Sequence, residues 1–177
     1  ASFSFYPGKN LGAYGDAGAI VTNNAETAEQ CRLIANHGQP AKYRHTLNGR
    51  NSRMDGIQAA VLSVKLGYLD SWLDARRRNA ARYNELLADT GIPLPMAPEH
   101  LVHTYHLYVI RVKDREAVAT IWKEDGVDTS RQYQTALPYH DTSAEVGYQP
   151  TDFPVVHRKR TDMMSQPLEE QVNGEMD

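Results

Sequence analysis

Cysteine is nearly absent. One residue, Cys31, stands in 177, so no disulfide can close within the chain, and the composition fits a reducing, cytoplasmic compartment. Long apolar runs are missing too. None approaches the roughly 20 residues that cross a bilayer, and no signal-peptide pattern opens the sequence, so no membrane partner is expected. There is no basic excess: 19 Lys and Arg against 22 Asp and Glu leave a net charge of −3, which excludes the electrostatic footprint of a nucleic-acid binder. No internal repeat or low-complexity segment is present. Two phosphate-loop motifs are absent as well. Gly8-Lys9-Asn10 has no Ser or Thr after the lysine and no glycine five residues before Gly8. Gly12, Gly15 and Gly18 recur every third residue, which is not the G-x-G-x-x-G of a dinucleotide site. What is left is a chain that is 41% apolar, long enough for one good core or parts of two.

The most informative segment is Ala1 to Thr22. Lys9 lies between the aromatic run Ser4-Phe5-Tyr6-Pro7 and the three spaced glycines, and the apolar run Ala19-Ile20-Val21 follows. An imine-forming lysine reacts through its neutral amine, which desolvation or neighbouring cations favour. Glycines beside it let backbone come close to a flat cofactor and permit positive φ. Ser4, with backbone amides nearby, offers a donor to a phosphate. The bland alternative is a solvated loop lysine.

This string closely resembles the Schiff-base lysine segment of the DegT/DnrJ/StrS family of pyridoxal-phosphate sugar aminotransferases. A second block is similar to that family's signatures: Asn36-His37-Gly38, then Gly49-Arg50-Asn51-Ser52-Arg53-Met54-Asp55 and Gln58-Ala59-Ala60. A third, His103 to Arg111, resembles a strand of its small domain. The resemblance covers roughly residues 1 to 156 and is strongest over 1 to 65. It implies an α/β fold-type-I aminotransferase, present in part. Residues 1–53 would end the large cofactor domain, 54–90 would be connecting helices and 91–177 a small α+β domain. Because the resemblance begins at residue 1, the chain is expected to be the C-terminal portion of such an enzyme. The ring-stacking aromatic, the acidic partner of the pyridine nitrogen and part of the phosphate cup would lie upstream.

The implied cofactor is pyridoxal 5'-phosphate, bound by Lys9, with Ser4, Asn51 and Arg53 toward its phosphate. The implied reaction transfers an amino group from a donor such as glutamate to a keto sugar nucleotide, most like the 3-keto-6-deoxy-hexose type, for amino-sugar biosynthesis. A homodimer is implied, with Asn51 reaching the partner's cofactor phosphate. Read without the resemblance, Asn51 or Ser52 caps a helix that Asp55 favours through the helix dipole; both roles can hold at one helix N-terminus. Tyr133 and His140 are substrate-side candidates, in a stretch that keeps the family frame but diverges from it. The alternatives are an inactive fragment or a regulatory or interaction protein on the same fold. A sugar dehydratase is disfavoured, since such relatives carry histidine where Lys9 stands.

The coarse elements are a strand over 17–22, a helix capped near Asn24 and stopped at His37-Gly38, and helices across 54–89 broken at Gly67. Arg76 to Arg78 read as a solvated face. Thr90 to Pro95 marks a boundary. A strand over 105–111, a helix over 114–124, a short strand near 127–129 and a polar helix over 153–164 follow. No metal site is expected: on a strand, His103 and His106 would face opposite ways.

Overall fold

The computed structural model describes residues 1–131, 135–159 and 162–168. The chain divides into two compact units, Ala1–Trp72 and Leu73–Asp177.

In the first unit, β1 (Ser2–Ser4) pairs antiparallel with β2 (Gly18–Ile20), with Phe3 opposite Ala19. The strand expected over 17–22 is shorter, and β1 lay hidden within the lysine segment. Helix α1 (Ala25–Ala35) starts where Asn24 accepts the Thr27 N–H at 2.7 Å, the expected N-cap. It stops at Asn36 because His37 and Gly38 turn left-handed, with φ 58° and 65°. A Cβ on Gly38 would lie 1.8 Å from the Leu47 carbonyl oxygen, so only glycine fits there. Helix α2 (Gly56–Leu66) follows, and Gly67 marks the break before α3 (Leu69–Leu87). The α2 cap is Asp55, without a side-chain cap bond. Neither Asn51 nor Ser52 caps it, because the helix begins four residues beyond Ser52.

The second unit is built on β3 (Tyr108–Arg111) paired antiparallel with β4 (Met163–Gln166), with Ile110 opposite Met164. Ala80, Tyr108, Ile110 and Met164 form the centre of its core, each 1% exposed or less. Tyr83, Val118 and Trp122 pack around them. Helix α4 (Arg115–Glu124) is capped by Asp114, which accepts the Ala117 N–H at 3.0 Å.

Several expectations fail here. The strand over 105–111 begins only at Tyr108. Tyr105 turns to φ 43°, and its N–H goes to His103 Nδ1 at 2.8 Å instead of a ladder partner. The parity reasoning for His103 and His106 therefore does not apply, as neither is on a strand. Among the described residues, no group of three or more His, Cys, Asp or Glu side chains gathers. Arg76 also departs from the solvated face: half-buried, it reaches the carbonyls of Tyr105 and His106 at 3.3 and 3.4 Å. Arg77 pairs with Asp74 as such a face would. The polar helix over 153–164 contracts to α5 (Pro154–Lys159), and Met163 and Met164 belong to β4. Ser165 can be buried in that strand because its hydroxyl donates to the Ser130 carbonyl at 3.1 Å, with reciprocal backbone bonds to Ser130. The strand expected at 127–129 is only this bridge at Ser130. Among the described residues, no helix is long and apolar enough to cross a membrane.

Candidate functional site

Lys9 sits on the span between β1 and β2. Its N–H donates to the Tyr6 carbonyl at 2.8 Å and closes a four-residue turn. Pro7 occupies the second turn position, where its fixed φ suits the chain. The span is then drawn back on itself. Ala13 N–H reaches the Phe5 carbonyl and Phe5 N–H the Ala17 carbonyl, both at 2.8 Å. Gly12 explains how so tight a return is possible. A Cβ there would lie 2.2 Å from the Pro7 carbonyl oxygen. The glycines of this motif do not serve through positive φ: the left-handed glycines among the described residues are Gly38, Gly91, Gly126 and Gly147. Close approach of backbone to backbone is the reason at Gly12.

The turn presents Lys9 to a cavity of about 580 Å³. Ser4, Ser52 and Arg53 line it with Lys9, and Asp16 and Met54 complete much of the wall. With Tyr6 also in the wall, two cationic and three hydroxyl-bearing side chains thus meet one carboxylate. Ser4 comes from β1. Ser52 and Arg53 come from the connection into α2, which is zipped to the end of α1: Arg50 N–H donates to the Ile34 carbonyl at 2.8 Å and Ser52 N–H to the Ala35 carbonyl at 2.9 Å. The Arg53 guanidinium is fixed by a 2.6 Å bond to Asn36 Oδ1. The Asn36-His37-Gly38 turn and the Asn51-to-Asp55 segment, distant in sequence, are therefore one structural device. The spacing of the motifs gave no sign that Asn36 holds Arg53; nor did it mark Asp16 or Ser52 as cavity residues.

Of the six expected site residues, Ser4, Lys9 and Arg53 come together. Asn51 is exposed, pairs through its backbone with Asn36, and does not line the cavity. His140 belongs to the second unit, where its Nε2 meets the Thr135 carbonyl at 3.1 Å. Tyr133 lies outside the described residues.

The donor set fits a pyridoxal phosphate. That molecule needs an amine to take its aldehyde, and donors for a phosphate dianion. Lys9 would supply the first, and the guanidinium and hydroxyls the second. The volume is in the ordinary range for small-ligand sites.

Comparisons with known proteins bear on the family. Residues 1–176 match the DegT/DnrJ/EryC1/StrS aminotransferase family. A "pleiotropic regulatory protein" of Geobacillus stearothermophilus is 40% identical over 171 residues, 95% of this chain and 46% of that protein. The dTDP-3-amino-3,4,6-trideoxy-alpha-D-glucose transaminase of Streptomyces venezuelae is 42% identical over 153 residues, 86% of this chain and 40% of that protein. Among solved structures, S. venezuelae DesV in complex with a ketimine intermediate is similar with a TM-score of 0.94 at 36% identity. The match covers 98% of this chain and 47% of that one. The chain spans about half the length of the curated relatives it matches.

Proposed function

The chain belongs to the DegT/DnrJ/EryC1/StrS aminotransferase family and carries part of its fold-type-I architecture; from that premise we propose that it serves a pyridoxal-phosphate enzyme that aminates a keto sugar nucleotide. The observation that carries this reading is the single cavity shared by the Lys9 amine, the Ser4 and Ser52 hydroxyls and the Arg53 guanidinium. Lys9 Nζ binds the cofactor and moves a proton to and from the reacting carbon. Arg53, oriented by Asn36, binds the phosphate by charge-assisted bonds, and Ser4 adds a hydroxyl donor. When bound, the cofactor supplies the electron sink for the transamination.

The name of the S. venezuelae transaminase supports amination at the sugar 3-position; an amino acid such as glutamate is the donor in this proposal. Tyr133 and His140 are the substrate-side residues of this proposal. The single cysteine supports a cytoplasmic setting.

A homodimer is part of the same proposal. Asn51 is exposed beside Arg53 yet absent from its own cavity wall, which supports a role toward a partner's cofactor phosphate. Ile57, Val64 and Leu66 leave apolar surface uncovered along α2, as a subunit interface would use. Residues 1–177 alone are expected not to turn over substrate, since they amount to about half of a family member and misplaced or missing positioning groups cost large rate factors.

The test is reductive trapping. Pyridoxal phosphate and borohydride, added to the full gene product, are expected to label the peptide containing Lys9. A label on any other lysine ends the assignment. The Geobacillus relative's name favours a second reading, a regulatory protein on this fold; trapping at Lys9 without turnover of any keto sugar nucleotide by the full gene product would support it.

A further inference from the structure

The span that carries Lys9 has no helix or strand of its own from Phe5 to Ala17. Beyond its internal bonds, its downstream arm is held by α2. Tyr14 N–H donates to Gln58 Oε1 at 2.8 Å, across 44 residues of sequence. Gly15 lies against the same side chain, so closely that a Cβ there would be 2.9 Å from Gln58 Nε2. Two helical turns on, Lys65 Nζ donates to the Gly12 carbonyl at 2.5 Å. The same ammonium lies 5.6 Å from the Tyr14 ring centroid and 5.8 Å from that of Trp72. Gln58, buried Leu62 and Lys65 stand at i, i+4 and i+7, one face of α2.

These bonds grip the loop at both ends of the arm that leads away from Lys9. Gly12 is the residue at which the loop also touches its own Lys9 turn, through Pro7. A shift of the arm is therefore transmitted to the turn that aims the lysine. Resting on the reading of Lys9 above, we propose that α2 is a clamp and that Gln58 and Lys65 are positioning residues that fix where the Lys9 amine stands. Neither lines the cavity; both act through the loop.

The experiment compares Gln58→Leu, Gln58→Glu, Lys65→Met and Lys65→Arg in the full gene product. Without cofactor, hydrogen exchange at the Ala13 and Tyr14 amides reads the loop itself. Loss of one hydrogen bond should speed it about five- to tenfold in Gln58→Leu and Lys65→Met. With pyridoxal phosphate and borohydride, Lys9 should label at least about tenfold more slowly in those variants, because small displacements carry large rate costs. In turnover, kcat should fall while KM for the sugar nucleotide holds. Gln58→Glu keeps the acceptor for Tyr14 N–H, and Lys65→Arg keeps the charge; both should recover most of the loss.

Wild-type exchange and labelling in both Gln58→Leu and Lys65→Met would overturn the clamp. So would faster exchange spread equally over β1 and α1, which would signal general loosening. If one variant fails to fold, the other decides. Wild-type labelling at a different lysine would instead remove the reading of Lys9, and the exchange data would still judge the clamp.

Discussion

Replacing Gly12 by alanine tests the geometry on which the site depends. The new Cβ would start 2.2 Å from the Pro7 carbonyl oxygen and 2.8 Å from its carbon. Ordinary carbon–oxygen contacts begin near 3.3 Å, so the two backbones must part by about 1 Å. Both belong to backbone, so no side-chain rotation relieves the clash. Parting them weakens the Lys9–Tyr6 and Ala13–Phe5 bonds, each 2.8 Å in the native loop, and the Lys65 bond to the Gly12 carbonyl. At about 1 kcal/mol for each such bond, the cost is about 3 kcal/mol, at the top of the usual range for overpacking. Gly8→Ala is the matched control. Nothing lies within 4 Å of a Cβ there, so its effect should stay within about 0.5 kcal/mol. Urea unfolding read by tryptophan fluorescence separates the two. The chain has two tryptophans, and in a Trp122→Phe background Trp72 reports on the first unit. With a slope of about 2 kcal/mol per molar urea, the Gly12→Ala midpoint should drop by about 1.5 M while Gly8→Ala does not move. Equal midpoints for the two variants would refute the close-approach account of the motif.

Asn36→Ala should free the Arg53 guanidinium and weaken pyridoxal phosphate binding about tenfold, a loss of about 1.4 kcal/mol, read by equilibrium dialysis; unchanged affinity would mean that Arg53 needs no orienting partner. Mixing Lys9→Ala subunits with Asn51→Ala subunits should restore near-normal activity at one site of the heterodimer, and no recovery, or a strictly monomeric enzyme, would remove the role of Asn51 across an interface. The tyrosine cluster should make the second unit sensitive to alkali. Burial holds the Tyr83 and Tyr108 hydroxyls above the ordinary 10.0, and for Tyr108 the neighbouring Tyr105 and Tyr83 add to it. Above pH 10 the unfolded chain gives up these protons first, so it binds fewer than the native state and stability falls as pH rises. Below that pH the contribution is fully present. Unfolding midpoints should therefore decline more steeply from pH 9 to 11 in the wild type than in Tyr108→Phe, and parallel slopes would contradict this.

Residue order alone determined a good deal. The string around Lys9 is a local pattern, legible because its residues are contiguous. The caps at Asn24 and Asp114 and the break at Gly67 were legible for the same reason: a helix end is settled within one turn. The family follows from those contiguous blocks. Tertiary structure decided the rest. β4 reads as polar because the serine hydroxyl within it is satisfied by Ser130, 35 residues away; no window of sequence contains both partners. The strand over 105–111 lost its first half to His103 and to Arg76, 29 residues away from Tyr105, whose side chains take backbone groups that a ladder would have used. Asn51 read as a cap until the helix began at Gly56. The pairing of Asn36 with Arg53, and the hold of Gln58 and Lys65 on the lysine loop, join residues 17 to 53 positions apart. Such contacts are selected by which faces the fold brings together, and periodicity records only that a face exists, not what it meets.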